Sequence, residues 1–467
     1  MKFTSTRNEK IKASAAEAIT MGLAPEGGLY VPLEFPRVSL DEFLGLDYED
    51  LAVLILSQFL PEFDNLKISV KNAYADAMPV RLKTFPNKFA FLELFNGKSA
   101  AFKDVALQLL PHLLTTSLHK IGENRKAVVL TATSGDTGSA AMSGFSNVPQ
   151  TEVIVFYPDE GISQMQRLQM TTQTAKNVHA VAVKGNFDDA QKAVKLIFQD
   201  QEFEKKFEAS SFFSSANSIN LGRLLPQIVY YFWAYSQLVT GGEIKSGEWV
   251  DFTVPTGNFG NILAGYYAKR MGLPIAHLIC ATNKNSVLYD VLSTGTYDCN
   301  RDFYVTNSPS MDILVSSNFE RLIYHLGGAK LSEETQAELA NSGKYHLPKA
   351  VYEELKKTFW TEKVDDQETQ ATIKAVSNES HYIIDPHTAV AYAASQKLKP
   401  TNYNVILATA SPYKFADTVE KAIGKKLDKK GQPQALMDLE KEKVTQTKCV
   451  EKNELEKIIE EIYDKNN

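Results

Sequence analysis

Cysteine is scarce in this chain, with Cys280, Cys299 and Cys449 the only three among 467 residues. Widely spaced and odd in number, they make neither a disulfide framework nor a metal knuckle, and a reducing setting is expected. Long apolar runs are missing too. No stretch reaches the roughly 18 apolar residues of a membrane-spanning helix. The opening MKFTSTRNEKIK is polar where a secretion signal needs an apolar core. A soluble, cytoplasmic protein with no membrane partner is expected. Strong charge bias is also absent: Lys and Arg number 50 against 56 Asp and Glu. That balance favours no nucleic-acid partner. There is no internal repeat, and His112, His179 and His277 lack metal-ligand spacing, so no metal is expected.

What is present is ordinary for a globular protein, 44% apolar and 23% charged. Residues 1–80 alternate helical patterns with the loop GLAPEGGLYVPLEFP, and SLDEFLGLDYEDLAVLILSQFL reads as two helices with Ser39 and Asp47 at their N-caps. Farther on, FAFLELF, KAVVLTAT, EVIVFYP and VHAVAVKG have strand length and composition, as do WVDFTVPTG, IAHLICATN and NVILATA. Helical candidates such as DVALQLLPHLLTTSLHKIG and GISQMQRLQMTTQTAK alternate with them. Such alternation predicts βαβ units around mostly parallel sheets. The expected division is an N-terminal domain over 1–80 and a large α/β domain over 81–125 plus 241–423. A small α/β domain over 126–240 and a charged tail over 424–467, ending in an exposed helix, complete it.

Three loops follow a strand and open a helix, the place where open α/β sheets bind ligands. In VVLTATSGDTGSAAMSGF the loop is Ser134, Gly135, Asp136, Thr137 and Gly138. It suits a carboxylate or phosphate, or simply a helix capped by Asp136 or Thr137. In VDFTVPTGNFGNILAGYYAKRMG the loop is Gly257, Asn258, Phe259, Gly260 and Asn261. It is neither a Walker loop nor a dinucleotide fingerprint, yet it has the glycines and helix start of an anion nest. The third, after NVILATA, holds Thr409, Ser411 and Pro412 and is less specific.

Lys103 lies between a strand and a helix start, behind Ala100, Ala101 and Phe102. An apolar shell and a helix N-terminus both disfavour the ammonium, and a neutral lysine captures aldehydes. An ion pair at the surface is the alternative. With an anion nest elsewhere in the chain, Lys103 suggests an aldehyde cofactor bearing a phosphate, which pyridoxal phosphate is.

The chain resembles the threonine synthases, pyridoxal-phosphate enzymes of the tryptophan-synthase-β-like fold (fold type II). The motifs run in order through MKFTSTRN, GLAPEGGLYVP, AFKD, TATSGDTGSAA and VKGNFDDAQ. They continue through SANSINLGRLLPQIVYYF, VPTGNFGNILAGYYAKRMGLP, IDPHTAV and TASPYKFADTV. The resemblance implies two parallel-sheet α/β domains, a covalent bond from the cofactor to Lys103, cofactor phosphate on Gly257–Asn261, and Thr409 at the pyridine nitrogen. It implies conversion of O-phospho-L-homoserine and water to L-threonine and phosphate by a monomer or homodimer. The substrate carboxylate would sit on Ser134–Gly138. Its phosphate would meet Lys184, Asn217, Ser218, Asn220 or Arg223, and less readily Lys98, with a structural ion pair the other reading of Arg223. Two departures stand before the lysine: Asn96 and Lys98 occupy positions where the family has His and Pro. His387, in IDPHTAV, is expected to be structural or capping.

Overall fold

The computed structural model describes every residue except Ser134, Gly161, Asn186 and Asn467. The β-branched and aromatic runs become strands. In the first half these are β1 (Phe3–Ser5), β2 (Tyr30–Pro32), β3 (Arg81–Phe85), β4 (Phe89–Glu93), β5 (Lys126–Ala132), β6 (Thr151–Pro158), β7 (Val178–Val183) and β8 (Ser211–Ser214). The second half adds β9 (Val250–Pro255), β10 (Ile275–Thr282), β11 (Thr296–Asp298), β12 (Lys344–His346), β13 (Phe359–Lys363), β14 (Tyr403–Ala408) and β15 (Lys448–Val450).

Six of these form a sheet in the order β13-β10-β9-β14-β4-β3, parallel except for the β3–β4 pair. A second sheet, β15-β7-β6-β5-β8, is parallel throughout. Parallel strands are covered on both faces, which is why their sequences read as unbroken apolar runs. In β5, Ala127 and Val129 face the central core, while Val128 and Leu130 face a separate core on the other side.

Ser39 and Asp47 are N-caps of the helices Leu40–Phe43 and Tyr48–Phe59, as the sequence predicts. The run DVALQLLPHLLTTSLHKIG, expected as one helix, is two: Asp104–Leu107 and Leu110–Ile121. Pro111 has no N–H to offer the Leu107 carbonyl, so the ladder stops there.

Two segments pack differently from what their sequence suggests. The helix Pro226–Thr240, expected in the small domain, packs into the central core, with Phe232 edge-on to Phe43 and Trp233 edge-on to Tyr48. The tail, expected to end in an exposed helix, instead completes the second sheet. Its strand β15 pairs with β7, and Leu455, Ile458, Ile459 and Ile462 of the helix Leu455–Asn466 are buried in the core behind it. Their i, i+3, i+4, i+7 spacing is an amphipathic stripe. The charged residues between them hid it.

Ile459→Ala should therefore lower unfolding stability by about 2–4 kcal/mol in denaturant titration, whereas Lys457→Ala, on the exposed face, should stay within about 0.5 kcal/mol. Equal, negligible effects would mean that the helix is a dispensable appendage.

Candidate active site

The chain leaves β4 at Glu93 and turns through Asn96–Phe102 before Lys103 starts the helix Asp104–Leu107. Asp104 holds this turn from inside, its Oδ2 accepting the Ser99 N–H at 2.7 Å. Burial pushes its carboxyl up to about 6. Gly97 is needed here because a Cβ would come within 2.5 Å of that carboxylate. The turn is also tied to the end of β14: Phe102 N–H donates to the Thr409 carbonyl at 2.8 Å, and Ser411 N–H to that of Ala100 at 3.0 Å. Two loops far apart in sequence thereby become one wall.

Lys103 meets three charged groups, Asp136, Arg223 and Lys414. Burial draws its amine down to about 8; Asp136 opposes the fall, and Arg223 and Lys414 add to it. About a tenth is then the free base at pH 7, far more than for a solvated lysine, and that is the form that attacks a carbonyl carbon.

Asp136 opens the helix Asp136–Phe145 but does not cap it. Neither does Thr137. Gly135 is the N-cap, at φ 127, where a Cβ would collide with Gln166. The capping oxygen is Thr133 Oγ1, which accepts the N–H groups of Gly135 and Gly138, each at 2.9 Å. That frees the Asp136 carboxylate to pair with Lys414 Nζ at 2.6 Å and to accept Gln166 Nε2 at 2.8 Å and the Ser310 hydroxyl at 3.0 Å. Ser134 lies outside the described residues.

The loop Gly257–Asn261 has inward-facing side chains. Phe259, at φ 64, is buried against Phe319 and Phe359. Asn261 accepts the Thr256 hydroxyl at 2.7 Å and donates to the Pro255 carbonyl at 2.9 Å. What remains for an anion is backbone: the N–H groups of Gly260 and Asn261 at the start of the helix Gly260–Arg270, since that of Ile262 donates to Asn261 Oδ1 at 3.0 Å. A Cβ on Gly257 would lie 2.8 Å from Ile313. Beside Gly260, the Asn318 amide nitrogen is buried and unpartnered.

The five candidates for a second anion separate. Arg223 is buried, and its Nη1 donates to the Ala216 carbonyl while its Nε has no partner. Among the described residues no carboxylate pairs with it, so it is not a structural ion pair. Asn217 and Ser218 are half-buried, with Ser218 near Gly260. Asn220 is committed elsewhere: it caps the helix Leu221–Leu224 through Gly222 N–H at 2.8 Å and donates to the Ile19 carbonyl. Lys184 is exposed and bonded to Glu451 of the tail at 2.7 Å, because β15 lies alongside β7. Neither belongs to the cluster around Lys103. Lys98 is paired with Asp76 at 2.6 Å and, with Asn96, lines a cavity of about 560 Å³ beside Tyr382 and Tyr413.

His387 is buried and structural, as expected: Nδ1 bonds Asp385 at 2.6 Å, and Nε2 accepts Ser310 N–H at 3.1 Å. Lys414, Gln166, Ser310 and Asn318 carry no expectation from sequence. Lys414 had the signal that exposes Lys103, a lysine among apolar neighbours, since it follows Pro412 and Tyr413 and precedes Phe415.

Comparisons with known proteins identify the family. Residues 2–74 match the family model for the threonine synthase N terminus, 86–409 that for pyridoxal-phosphate-dependent enzymes, and 388–462 that for the threonine synthase C-terminal region. Threonine synthases of Saccharomyces cerevisiae and Pseudomonas aeruginosa are 39% and 40% identical, over 90% of this chain and 89% and 90% of theirs. The chain belongs to the threonine synthase family. A solved pyridoxal-phosphate-bound threonine synthase from Brucella melitensis has a TM-score of 0.91 at 36% identity, with 99% of both chains covered. The tryptophan-synthase-β-like, fold type II architecture is therefore established, and pyridoxal phosphate is the cofactor of this threonine synthase family member. The residues present fit it: a lysine whose burial favours the free amine, a glycine cradle, and the buried, orphaned Asn318 amide nitrogen.

Covalent labelling of Lys103 by an aldehyde should rise about fivefold from pH 7 to pH 8 and level off above about pH 9, as an amine titrating near 8 requires. A tenfold rise per pH unit continuing to about pH 10 would mean an ordinary solvated lysine.

Proposed function

We propose that this chain converts O-phospho-L-homoserine and water to L-threonine and phosphate at the cleft where Lys103 meets Arg223. The observation that carries this reading is a buried lysine whose amine is drawn down to about 8, beside a buried guanidinium that no carboxylate among the described residues neutralises. One group suits carbonyl capture and proton transfer, the other a dianionic leaving group.

Lys103 would anchor the cofactor. The backbone N–H groups of Gly257–Asn261, with the Asn318 amide, would hold its phosphate, and the Thr409 hydroxyl would serve as the partner of its ring nitrogen. When bound, pyridoxal phosphate supplies an electron sink for charge developing at the substrate's Cα. The Lys103 amine, as the free base, would take the proton from Cα and then from Cβ. Gly135, Asp136 and Thr137, through the backbone of their loop, receive the substrate carboxylate. Arg223, with Asn217 and Ser218, binds the γ-phosphate and stabilises it as the Cγ–O bond breaks. A proton is then added at Cγ and water at Cβ, which gives threonine. The enzyme works in the cytoplasm on this small-molecule substrate, as a monomer or homodimer.

Purified protein given O-phosphohomoserine should release phosphate and threonine in equal amounts. 2-Oxobutanoate as the main product would replace this reading with that of a phosphate-eliminating lyase. Borohydride should fix the cofactor on the peptide containing Lys103, and Lys103→Ala should abolish turnover while the protein stays folded. Arg223→Gln should lower kcat/KM roughly 10- to 100-fold, the worth of a charge-assisted hydrogen bond. An unchanged kcat/KM would remove Arg223 from the phosphate site.

A further inference from the structure

Lys414 has no part in the reaction as described, yet it is fully buried, with a side-chain exposure of 0%. Its Nζ donates to Asp136 Oδ1 at 2.6 Å and to the Ser99 carbonyl at 2.9 Å. These partners join three separate pieces of the molecule. Lys414 stands in the turn after β14 of the larger sheet, Asp136 on the first helix of the smaller sheet, and Ser99 in the turn leading to Lys103. The smaller sheet grips the same turn a second time, since Gln169 Nε2 donates to the Ser99 carbonyl at 2.9 Å. On the other side, Ser310 links Asp136 to His387, and His387 to Asp385. An ammonium is costly to bury. A neutral donor could hold Ser99, but only a cation also cancels the Asp136 charge.

We propose that Lys414 is a positioning residue: by pairing with Asp136 it locks the smaller sheet onto the Lys103 turn and neutralises the carboxylate that would otherwise stabilise the Lys103 ammonium. The proposal rests on Lys103 being the carbonyl-capturing lysine. The groups facing Lys103 are Asp136 from the smaller sheet's first helix, Arg223 from the helix Leu221–Leu224 and Lys414 from the turn after β14. Asp104, on Lys103's own helix, is turned to Ser99 and interacts with Lys414. Two cations against one anion leave a net positive surrounding, which favours the neutral amine. Without Lys414 the balance falls to zero, and Asp136, still buried, is left without its partner. Lys103 then keeps its proton to higher pH.

The test uses the full-length chain freed of cofactor, with pyridoxal phosphate added across a pH series. The initial rate of borohydride-trapped attachment at Lys103 is followed by peptide mass. Wild type should show a midpoint near 8. Lys414→Met should raise it by about one pH unit or more, and Lys414→Arg should stay with wild type. Asp136→Asn should move it the opposite way, and the double variant Lys414→Met/Asp136→Asn should return towards wild type. A purely structural latch would slow attachment in every variant without moving the midpoint, and that result would overturn the proposal. If Lys414→Met does not fold, the downward shift in Asp136→Asn and its reversal in the double variant decide the matter. Wild-type trapping on some other peptide would instead overturn the reading of Lys103, so the two failures are distinguishable.

Discussion

At the centre of this molecule, out of reach of water, one ammonium and one carboxylate meet across two sheets. Burying such a pair costs several kcal/mol per ion, and the attraction offsets this only when every remaining donor and acceptor is satisfied. Here they are nearly all satisfied: Asp136 has Lys414, Gln166 and Ser310, and Lys414 has Asp136 and Ser99. Removing either partner of such a buried pair costs roughly 3–5 kcal/mol. The pair is therefore a constraint on geometry. The two α/β layers, packed any other way, would strand a buried charge.

Once that contact is set, the rest of the site follows. The Lys103 turn is held at Ser99 and Asp104, and again at the end of β14, so the amine has one place to be. That place is dry, which lowers the amine towards neutrality. Nearby, Arg223 stays charged without a carboxylate, and Asn318 keeps a free amide. Orphaned donors are unfavourable in an interior unless a ligand completes them. Both are open to the two anions of the proposed reaction, and in that reading stability is given up where binding recovers it.

Much of this was legible in sequence because the signals are local. A capped helix start at Asp47, a parallel strand such as β5 and a glycine nest after β9 each depend on a few neighbouring residues. Lys103 drew attention because a lysine among small apolar residues at a helix start is locally unfavourable, and such conflicts mark function. The misreadings were failures of scale. Asn220 and Lys184 are polar residues in suggestive motifs, and only packing shows that one is spent on a helix cap and the other on the tail. The charged tail hid a buried apolar stripe, because charge between stripe positions says nothing about which face is covered.

The sequence alone determined the fold class and the reaction family, since both rest on residue spacing and motif order, and it singled out Lys103 and the loop Gly257–Asn261 as candidates. Only the tertiary structure decided which charges meet. Asp136 and Lys414 are 278 positions apart by their numbers, and nothing local to either tells that they pair. Electrostatic energy depends on distance through space and on the surrounding dielectric, neither of which is written along the chain. Folding brings the two together in a dry interior, and the Lys103 amine acquires its chemistry from that encounter.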